Sequence, residues 1–174
     1  MIETEVKYLI DKLPINLPNP MYIEQRYFEP VNTLDKILTL FNLESLNGIH
    51  TKRIRLIKTN QISYVITLKT KGLYSRVEYE KEISEELYNE ILKEEVKSCV
   101  IKNRYRIKIK NYVFEFDEYL NLKKPLFTCE VEDENILEHQ KDIENILLNY
   151  FNLEFKDVTL DHKYKNSNLV KYFG

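Results

Sequence analysis

Residues 2–8, Ile-Glu-Thr-Glu-Val-Lys-Tyr, place a charged side chain at every second position. Alternate residues of a β-strand share one face of the sheet. The stretch therefore predicts a strand over residues 2–10 with one ionised face, formed by Glu3, Glu5 and Lys7. Whether this ionised face points to solvent or to an enclosed interior decides the fold.

Alternating patterns recur through most of the chain, which predicts seven further strands. These cover residues 21–29, 51–58, 62–71, 76–83, 99–109, 111–119 and 126–132. Helical spacing of apolar residues predicts a short helix at 34–43, with Thr33 as its cap, and two further helices at about 84–96 and 134–149. Antiparallel strands with a few segregated helices define an α+β protein.

Seven of the eight predicted strands concentrate ionisable residues on one face, with signs that differ between strands. The later strands contribute Arg53 and Arg55; Lys69 and Lys71; Arg76, Glu78 and Glu80; Lys102, Arg104 and Arg106; Glu115 and Asp117; and Glu130 and Glu132. A solvent-facing sheet usually mixes charges with neutral polar residues, whereas these faces are almost entirely ionisable. We therefore predict an eight-stranded antiparallel β-barrel, a tunnel with a charged lumen, with its helices packed outside.

Length and composition narrow the classes of protein to consider. The 174 residues fit a single domain, residues 1–174. The net charge of −2 does not favour a nucleic-acid-binding surface. No apolar run approaches the roughly 20 residues of a membrane helix, and charges begin at Glu3, so we expect a cytoplasmic protein with no nucleic-acid or membrane partner.

A lumen that carries both signs of charge suits one kind of ligand. Arginine and lysine bind phosphate oxygens, and arginine can do so with two parallel hydrogen bonds. Carboxylates bind hard cations such as Mg²⁺ or Mn²⁺, which also bridge to phosphates. The pattern therefore predicts a small-molecule polyphosphate bound together with divalent metal.

The ordered set of charged motifs resembles the CYTH superfamily, also called triphosphate tunnel metalloenzymes. The resemblance covers nearly the whole chain, although Arg26 stands where many relatives have glycine and the stretch 30–50 is longer than their usual turn. The helix in that stretch could be a lid, a dimer contact or a packed flap. The motifs are Glu3-x-Glu5-x-Lys7, Gln25-x-Tyr27, Arg53-x-Arg55, Thr67-x-Lys69, Ser75-Arg76-x-Glu78-x-Glu80, Lys102-x-Arg104-Tyr105, Glu115-x-Asp117, Glu130-x-Glu132 and the closing segment Asp161–Leu169.

The resemblance implies a role for each matching residue. Mg²⁺ or Mn²⁺ would be held by Glu3, Glu5, Asp117, Glu130 and Glu132. Substrate would be bound by Lys7, Tyr27, Arg53, Arg55, Lys69, Arg76, Arg104, Arg106 and Lys163. Lys69, Arg55 and Glu5 would carry catalysis, and Glu78, Glu80, Glu115 and Lys102 would complete the lumen.

The expected activity is metal-dependent hydrolysis of a triphosphate, with inorganic tripolyphosphate as substrate and orthophosphate as product, because the motifs are all directed at phosphate or metal. Three alternatives stay open on the sequence alone. The same scaffold could serve a class IV-type adenylate cyclase that converts ATP to cyclic AMP, a thiamine triphosphatase, or a binder without catalysis. The oligomeric state is also open, with a homodimer as one alternative.

Overall fold

The computed structural model describes residues 2–174, and within them nine strands and four α-helices. The strands are β1 (Ile2–Ile10), β2 (Met21–Glu29), β3 (Ile49–Lys58), β4 (Ile62–Thr70), β5 (Ser75–Ile83), β6 (Glu95–Ile109), β7 (Tyr112–Tyr119), β8 (Phe127–Glu132) and β9 (Phe155–Asp157). The helices are α1 (Leu34–Phe41), α2 (Glu85–Ile91), α3 (Ile136–Asn145) and α4 (Leu169–Phe173).

Strands β1 to β8 close into an antiparallel ring. The pairing order is β5-β4-β3-β2-β6-β7-β8-β1, and β1 pairs again with β5. That closing seam is short, with residues 2–4 of β1 opposite residues 75–77 of β5. Further along the same edge, Tyr8–Ile10 of β1 pairs with β9 instead. The predicted eight-stranded fold is therefore confirmed, and β9 is an addition that the sequence pattern did not indicate.

Apolar side chains point outward from the ring and are covered by the helices. One cluster joins β1, β7 and β8 to α3, and its fully buried members include Val6, Phe116, Val131 and Ile143. Burying such side chains contributes about 1.5–3 kcal/mol each. Because the apolar faces are used on the outside, the charged faces are left to line the interior, as predicted.

A second cluster covers the outer face of β3 and β4. Ile54, Ile66 and Leu68 pack there against Ile37 of α1 and Ile91 of α2. Helix α1 therefore lies outside the ring as a packed flap, one of the three alternatives for the stretch 30–50. Thr33 occupies the N-cap position of α1 as predicted. Its hydroxyl, however, makes no capping hydrogen bond and instead donates to Glu94 at 2.9 Å.

Two helix boundaries also differ from the predicted ones. Helix α2 ends at Ile91, because β6 begins at Glu95 and pairs with β2 from there. Helix α3 passes at Ile146 into a wider helical turn over Ile146–Tyr150. No helix in the described part of the chain has the length and hydropathy that a membrane crossing requires.

Candidate functional site

The ring encloses a central cavity of about 480 Å³, which collects most of the residues singled out in the sequence. All but three of the predicted site residues line it. Those that do are Glu3, Glu5, Lys7, Tyr27, Arg53, Arg55, Lys69, Arg76, Glu78, Glu80, Arg104, Arg106, Glu115, Glu130 and Glu132. The alternation of the strands puts these residues on the inner face, so residues far apart in the chain become neighbours.

Strands β3 and β4 supply a basic wall. The Arg53 guanidinium donates to the Thr67 hydroxyl at 3.1 Å, and Arg55 donates to Glu80 at 2.8 Å. The Nε atoms of both arginines are buried and have no hydrogen-bond partner among residues 2–174. Burial and the adjacent charge of Arg53 lower the pKa of Arg55 to about 10. Two crowded guanidinium groups with unused donors are suited to an anionic ligand.

Strands β1 and β8 supply an acidic wall. Glu5 lies directly opposite Glu132, and Lys7 lies opposite Glu130. Burial, together with the charges of Glu130 and Glu3, raises the pKa of Glu5 to about 7. Burial and the charge of Glu3 also raise the pKa of Glu132. Carboxylates that repel one another in this way are stabilised by a cation placed between them.

Basic side chains bridge the two walls. Lys69 contacts Glu3 at 2.7 Å and Glu78 at 2.9 Å. Arg76 contacts Glu3 at 2.9 Å and Glu5 at 3.1 Å. Within residues 2–174, no three acidic, histidine or cysteine side chains are grouped as a ready-made metal site. The oxygen donors of Glu3, Glu5, Glu130 and Glu132 nevertheless suit Mg²⁺ or Mn²⁺. A metal there would compete with Arg76 for Glu3 and Glu5.

Two predicted site residues, Asp117 and Lys102, lie behind the cavity. Asp117 has no exposed surface and Lys102 is 1% exposed, and neither lines the cavity. Asp117 accepts two hydrogen bonds from Arg104, both at 2.7 Å, and a third from Lys102 at 2.8 Å. Of these three residues, Arg104 is the one that reaches the cavity.

The third predicted residue outside the lining is Lys163. A short 3₁₀ turn, His162–Tyr164, begins after Asp161, whose carboxylate accepts from the Lys163 backbone N–H. The turn leaves the Lys163 side chain 46% exposed, 3.7 Å from Asp161. Lys165 lines the cavity instead and donates to the Gly72 carbonyl at 3.4 Å. Burial and the charge of Arg76 lower the pKa of Lys165.

Sequence reasoning assigned no role to several other lining residues. Asn166 accepts from the Lys7 ammonium at 3.3 Å and from the Tyr119 hydroxyl at 2.6 Å, so it fixes Lys7 from the C-terminal side. Its place in the closing segment was the available signal. Met21, Ile23 and Ile57 add an apolar patch on β2 and β3. Their inward parity could have indicated this position.

Together, the fold and the site define a class: proteins in which a closed antiparallel ring of strands surrounds a cavity lined by both acids and bases. Comparison with known proteins shows which family within this class the chain belongs to. The chain is 34% identical to an inorganic triphosphatase from Acetivibrio thermocellus over 123 residues, 69% of this chain and 72% of that protein. The chain therefore belongs to the inorganic triphosphatase family.

Solved structures agree on the fold. The inorganic triphosphatase NE1496 is 25% identical, with a TM-score of 0.58 over 97% of this chain and 93% of that one. A putative adenylyl cyclase from Hippeastrum, HpAC1, described as having dominant triphosphatase activity, has a TM-score of 0.62 at 13% identity, over 98% of this chain and 95% of that one. At that identity the likeness shows the fold alone. No family model matches the chain.

Proposed function

We propose that this protein is a divalent-metal-dependent triphosphatase of the CYTH, or triphosphate tunnel metalloenzyme, superfamily. It hydrolyses inorganic tripolyphosphate and releases orthophosphate as a single domain in the cytoplasm. The observation that carries the proposal is the division of one cavity into an acidic wall on β1 and β8 and a basic wall on β3 and β4. A triphosphate with divalent metal needs both walls at once.

The basic residues bind the phosphate chain in this proposal. Arg53 and Arg55 offer guanidinium donors from one side, and Lys69 and Arg104 reach the cavity from strands on either flank. Lys165 adds an ammonium from the C-terminal segment. Each of these donors forms a charge-assisted hydrogen bond, which is roughly twice as strong as a neutral one.

Glu3, Glu5, Glu130 and Glu132 are the residues that would hold the metal. When bound, Mg²⁺ or Mn²⁺ supplies neutralising charge on phosphate oxygens and a more acidic water. Burial and the charges of Glu130 and Glu3 raise the pKa of Glu5, and a cation at this wall would offset the repulsion between the carboxylates. Arg76, which bonds to both Glu3 and Glu5, would become available to phosphate oxygens if a metal took these carboxylates.

Hydrolysis by this chain depends mainly on positioning the substrate and on stabilising negative charge in the transition state, as is general for phosphoryl transfer. The cavity residues hold the triphosphate so that water can attack the terminal phosphorus in line with the breaking bond. Lys69 and Arg55 stabilise negative charge on the leaving oxygen, because both are fixed by ion pairs before substrate arrives. Removing one such donor typically lowers kcat by about 10²- to 10³-fold.

Inorganic tripolyphosphate is the proposed substrate for two reasons. The relative at 34% identity is an inorganic triphosphatase. The polar lining of the cavity consists mainly of ionised side chains suited to phosphate and metal. Besides HpAC1, two further solved structures of similar fold are described as putative adenylate cyclases, at 18% and 16% identity, which makes the cyclase reaction an outcome worth measuring.

A substrate panel tests the proposal. Tripolyphosphate, pyrophosphate, long-chain polyphosphate, ATP and thiamine triphosphate are each incubated with the protein and Mg²⁺ or Mn²⁺, and all products are identified. We expect tripolyphosphate to give orthophosphate and pyrophosphate fastest. Cyclic AMP with pyrophosphate from ATP would instead identify a cyclase, and turnover of none of the five would identify a binder.

A further inference from the structure

The Asp117 carboxylate is fully buried and accepts three charge-assisted hydrogen bonds. Its side chain has no exposed surface. One oxygen accepts from Arg104 Nε at 2.7 Å, and the other accepts from Arg104 Nη2 at 2.7 Å and from Lys102 Nζ at 2.8 Å. Although burial disfavours ionisation, Arg104 and Lys102 hold the pKa of Asp117 below its usual value.

A metal would have to displace Arg104 to reach either oxygen of this carboxylate, and Lys102 as well to reach the second. Lys102 is 1% exposed, and burial together with the charge of Arg104 already lowers the pKa of Lys102 to about 8. Removing one partner from a buried ion pair is strongly unfavourable, because the other charge stays buried and unpaired. Glu3 and Glu130 are also ion-paired, but they line the cavity, so a metal could approach their oxygens from the ligand space.

The arrangement has a clear effect on Arg104. Asp117 accepts hydrogen bonds from the Nε and Nη2 atoms along one edge of the guanidinium. In this orientation Arg104 Nη1 lies 3.2 Å from Glu115, and Nη2 lies 3.0 Å from Glu130. Glu115 and Glu130 both line the cavity. One edge of the guanidinium is thus fixed behind the wall while the other faces the ligand space. Side-on pairing of this kind defines the plane of the arginine as well as its distance.

We propose that Asp117 is a positioning residue that orients Arg104 toward the triphosphate, and that it is not a ligand of the metal. This inference rests on the proposed function, since it assigns Arg104 to the substrate of that site. It departs from the role that the family resemblance implies for Asp117. The carboxylates left to hold metal are those on β1 and β8.

The test compares Asp117→Asn with Glu132→Gln and with Glu118→Gln. Glu118 is the matched control, because it neighbours Asp117 on β7 but bonds to Asn103 on the outer side. Mn²⁺ affinity is measured by electron paramagnetic resonance, and metal-free tripolyphosphate affinity by calorimetry. We expect Asp117→Asn to keep Mn²⁺ affinity within about twofold and to weaken tripolyphosphate binding by about 10- to 100-fold.

The controls should behave differently from that variant. Glu132→Gln should lower Mn²⁺ affinity by about tenfold or more, and Glu118→Gln should change neither affinity. In an Arg104→Lys background, Asp117→Asn should weaken tripolyphosphate binding little further, because lysine cannot form the paired hydrogen bonds by which Asp117 orients a guanidinium. A purely structural role for Asp117 would not produce that loss of additivity.

Two results would overturn the inference: an Mn²⁺ affinity for Asp117→Asn as low as that of Glu132→Gln, or full additivity with Arg104→Lys. If Asp117→Asn does not fold, a crystal structure of the unaltered protein with Mn²⁺ and tripolyphosphate decides. Retained Arg104 and Lys102 contacts support the inference, and an Asp117 oxygen at a ligand distance of about 2.1 Å contradicts it. Failure of the unaltered protein to bind or hydrolyse tripolyphosphate would instead contradict the proposed function.

Discussion

At the scale of single residues, two lysines of the C-terminal segment differ sharply in their surroundings. Lys165 lines the cavity, whereas Lys163 is 46% exposed beside Asp161. Both have the same charge and lie two positions apart, so alternation alone assigns them to one face. The 3₁₀ turn that Asp161 initiates breaks this alternation, which is why strand parity could not distinguish them.

We predict that Lys165→Met will lower kcat/KM for tripolyphosphate by about 10- to 100-fold, the loss expected for one or two charge-assisted hydrogen bonds. Lys163→Met is the matched control and should stay within about twofold of the unaltered protein. Steady-state kinetics at saturating Mg²⁺ provide the measurement. The reverse order of effects would show that the closing segment presents Lys163 to the substrate.

Asp117 illustrates a second limit of sequence reasoning at this scale. Parity correctly predicts that its side chain points inward with those of Glu115, Glu130 and Glu132. Alternation along the strand does not indicate how far an inward side chain lies from the cavity surface. Only the positions of Arg104 and Lys102 show that Asp117 lies behind that surface. Inward direction could be predicted from the sequence for most of the site, but partner choice within the interior could not.

At the scale of elements, helix α1 is held on the outside of the ring by apolar packing and by one buried acid. Ile37 is fully buried among residues of β3, β4 and α2. Glu94, 8% exposed, accepts from the backbone N–H groups of Val31 and Thr33 and from the Thr33 hydroxyl. The helical spacing in 34–43 predicted the helix, but only tertiary contacts could show which surface it covers.

Ile37→Ala is predicted to lower the free energy of unfolding by about 2–5 kcal/mol, because it leaves a cavity at a fully buried site. The folded variant should bind tripolyphosphate as well as the unaltered protein does, since α1 does not contribute to the central cavity. Urea unfolding and calorimetry measure the two effects. Val31→Ala, at a side chain that is 73% exposed, serves as control. A loss of tripolyphosphate affinity in folded Ile37→Ala would favour the lid alternative.

Glu94 gives a prediction that depends on pH. Burial opposes its ionisation, but the hydrogen bonds from Thr33 and Val31 lower its pKa in the folded protein. Its charged form therefore stabilises the fold fully above the unfolded glutamate pKa of about 4.3, and that stabilisation is lost as pH falls through the lower folded pKa. Glu94→Gln should cost about 1 kcal/mol at pH 7.

The difference between Glu94→Gln and the unaltered protein should shrink toward zero on acidification below that folded pKa. Urea unfolding of both proteins across pH 7 to pH 3 measures it. Glu86→Gln is a suitable control, because Glu86 is exposed in the first turn of α2. A difference that stays constant with pH would show that the Glu94 charge does not anchor the loop before α1.

At the scale of the whole molecule, closure of the ring brings the first and fifth strands together through three residue pairs. Local patterning predicts strands and their faces, but the pairing of residues 2–4 with residues 75–77 depends on how far the sheet coils. The mixed signs of the charged faces favoured a closed ring, because acids and bases are costly to bury unless each is paired with an opposite charge. Ion pairs across the cavity, such as Lys69 with Glu3 and Arg76 with Glu5, meet that condition for much of the set.

In the proposed function, the acidic wall binds a divalent cation that the triphosphatase reaction requires. Phosphate release from tripolyphosphate at saturating Mn²⁺ tests it most directly in Glu5→Gln, with Glu118→Gln as control. We predict a rate lower by about 100-fold or more for Glu5→Gln, an unchanged rate for Glu118→Gln, and no turnover by the unaltered protein in excess chelator. Equal rates for Glu5→Gln and the unaltered protein would show that Glu5 does not hold a cation that the reaction requires.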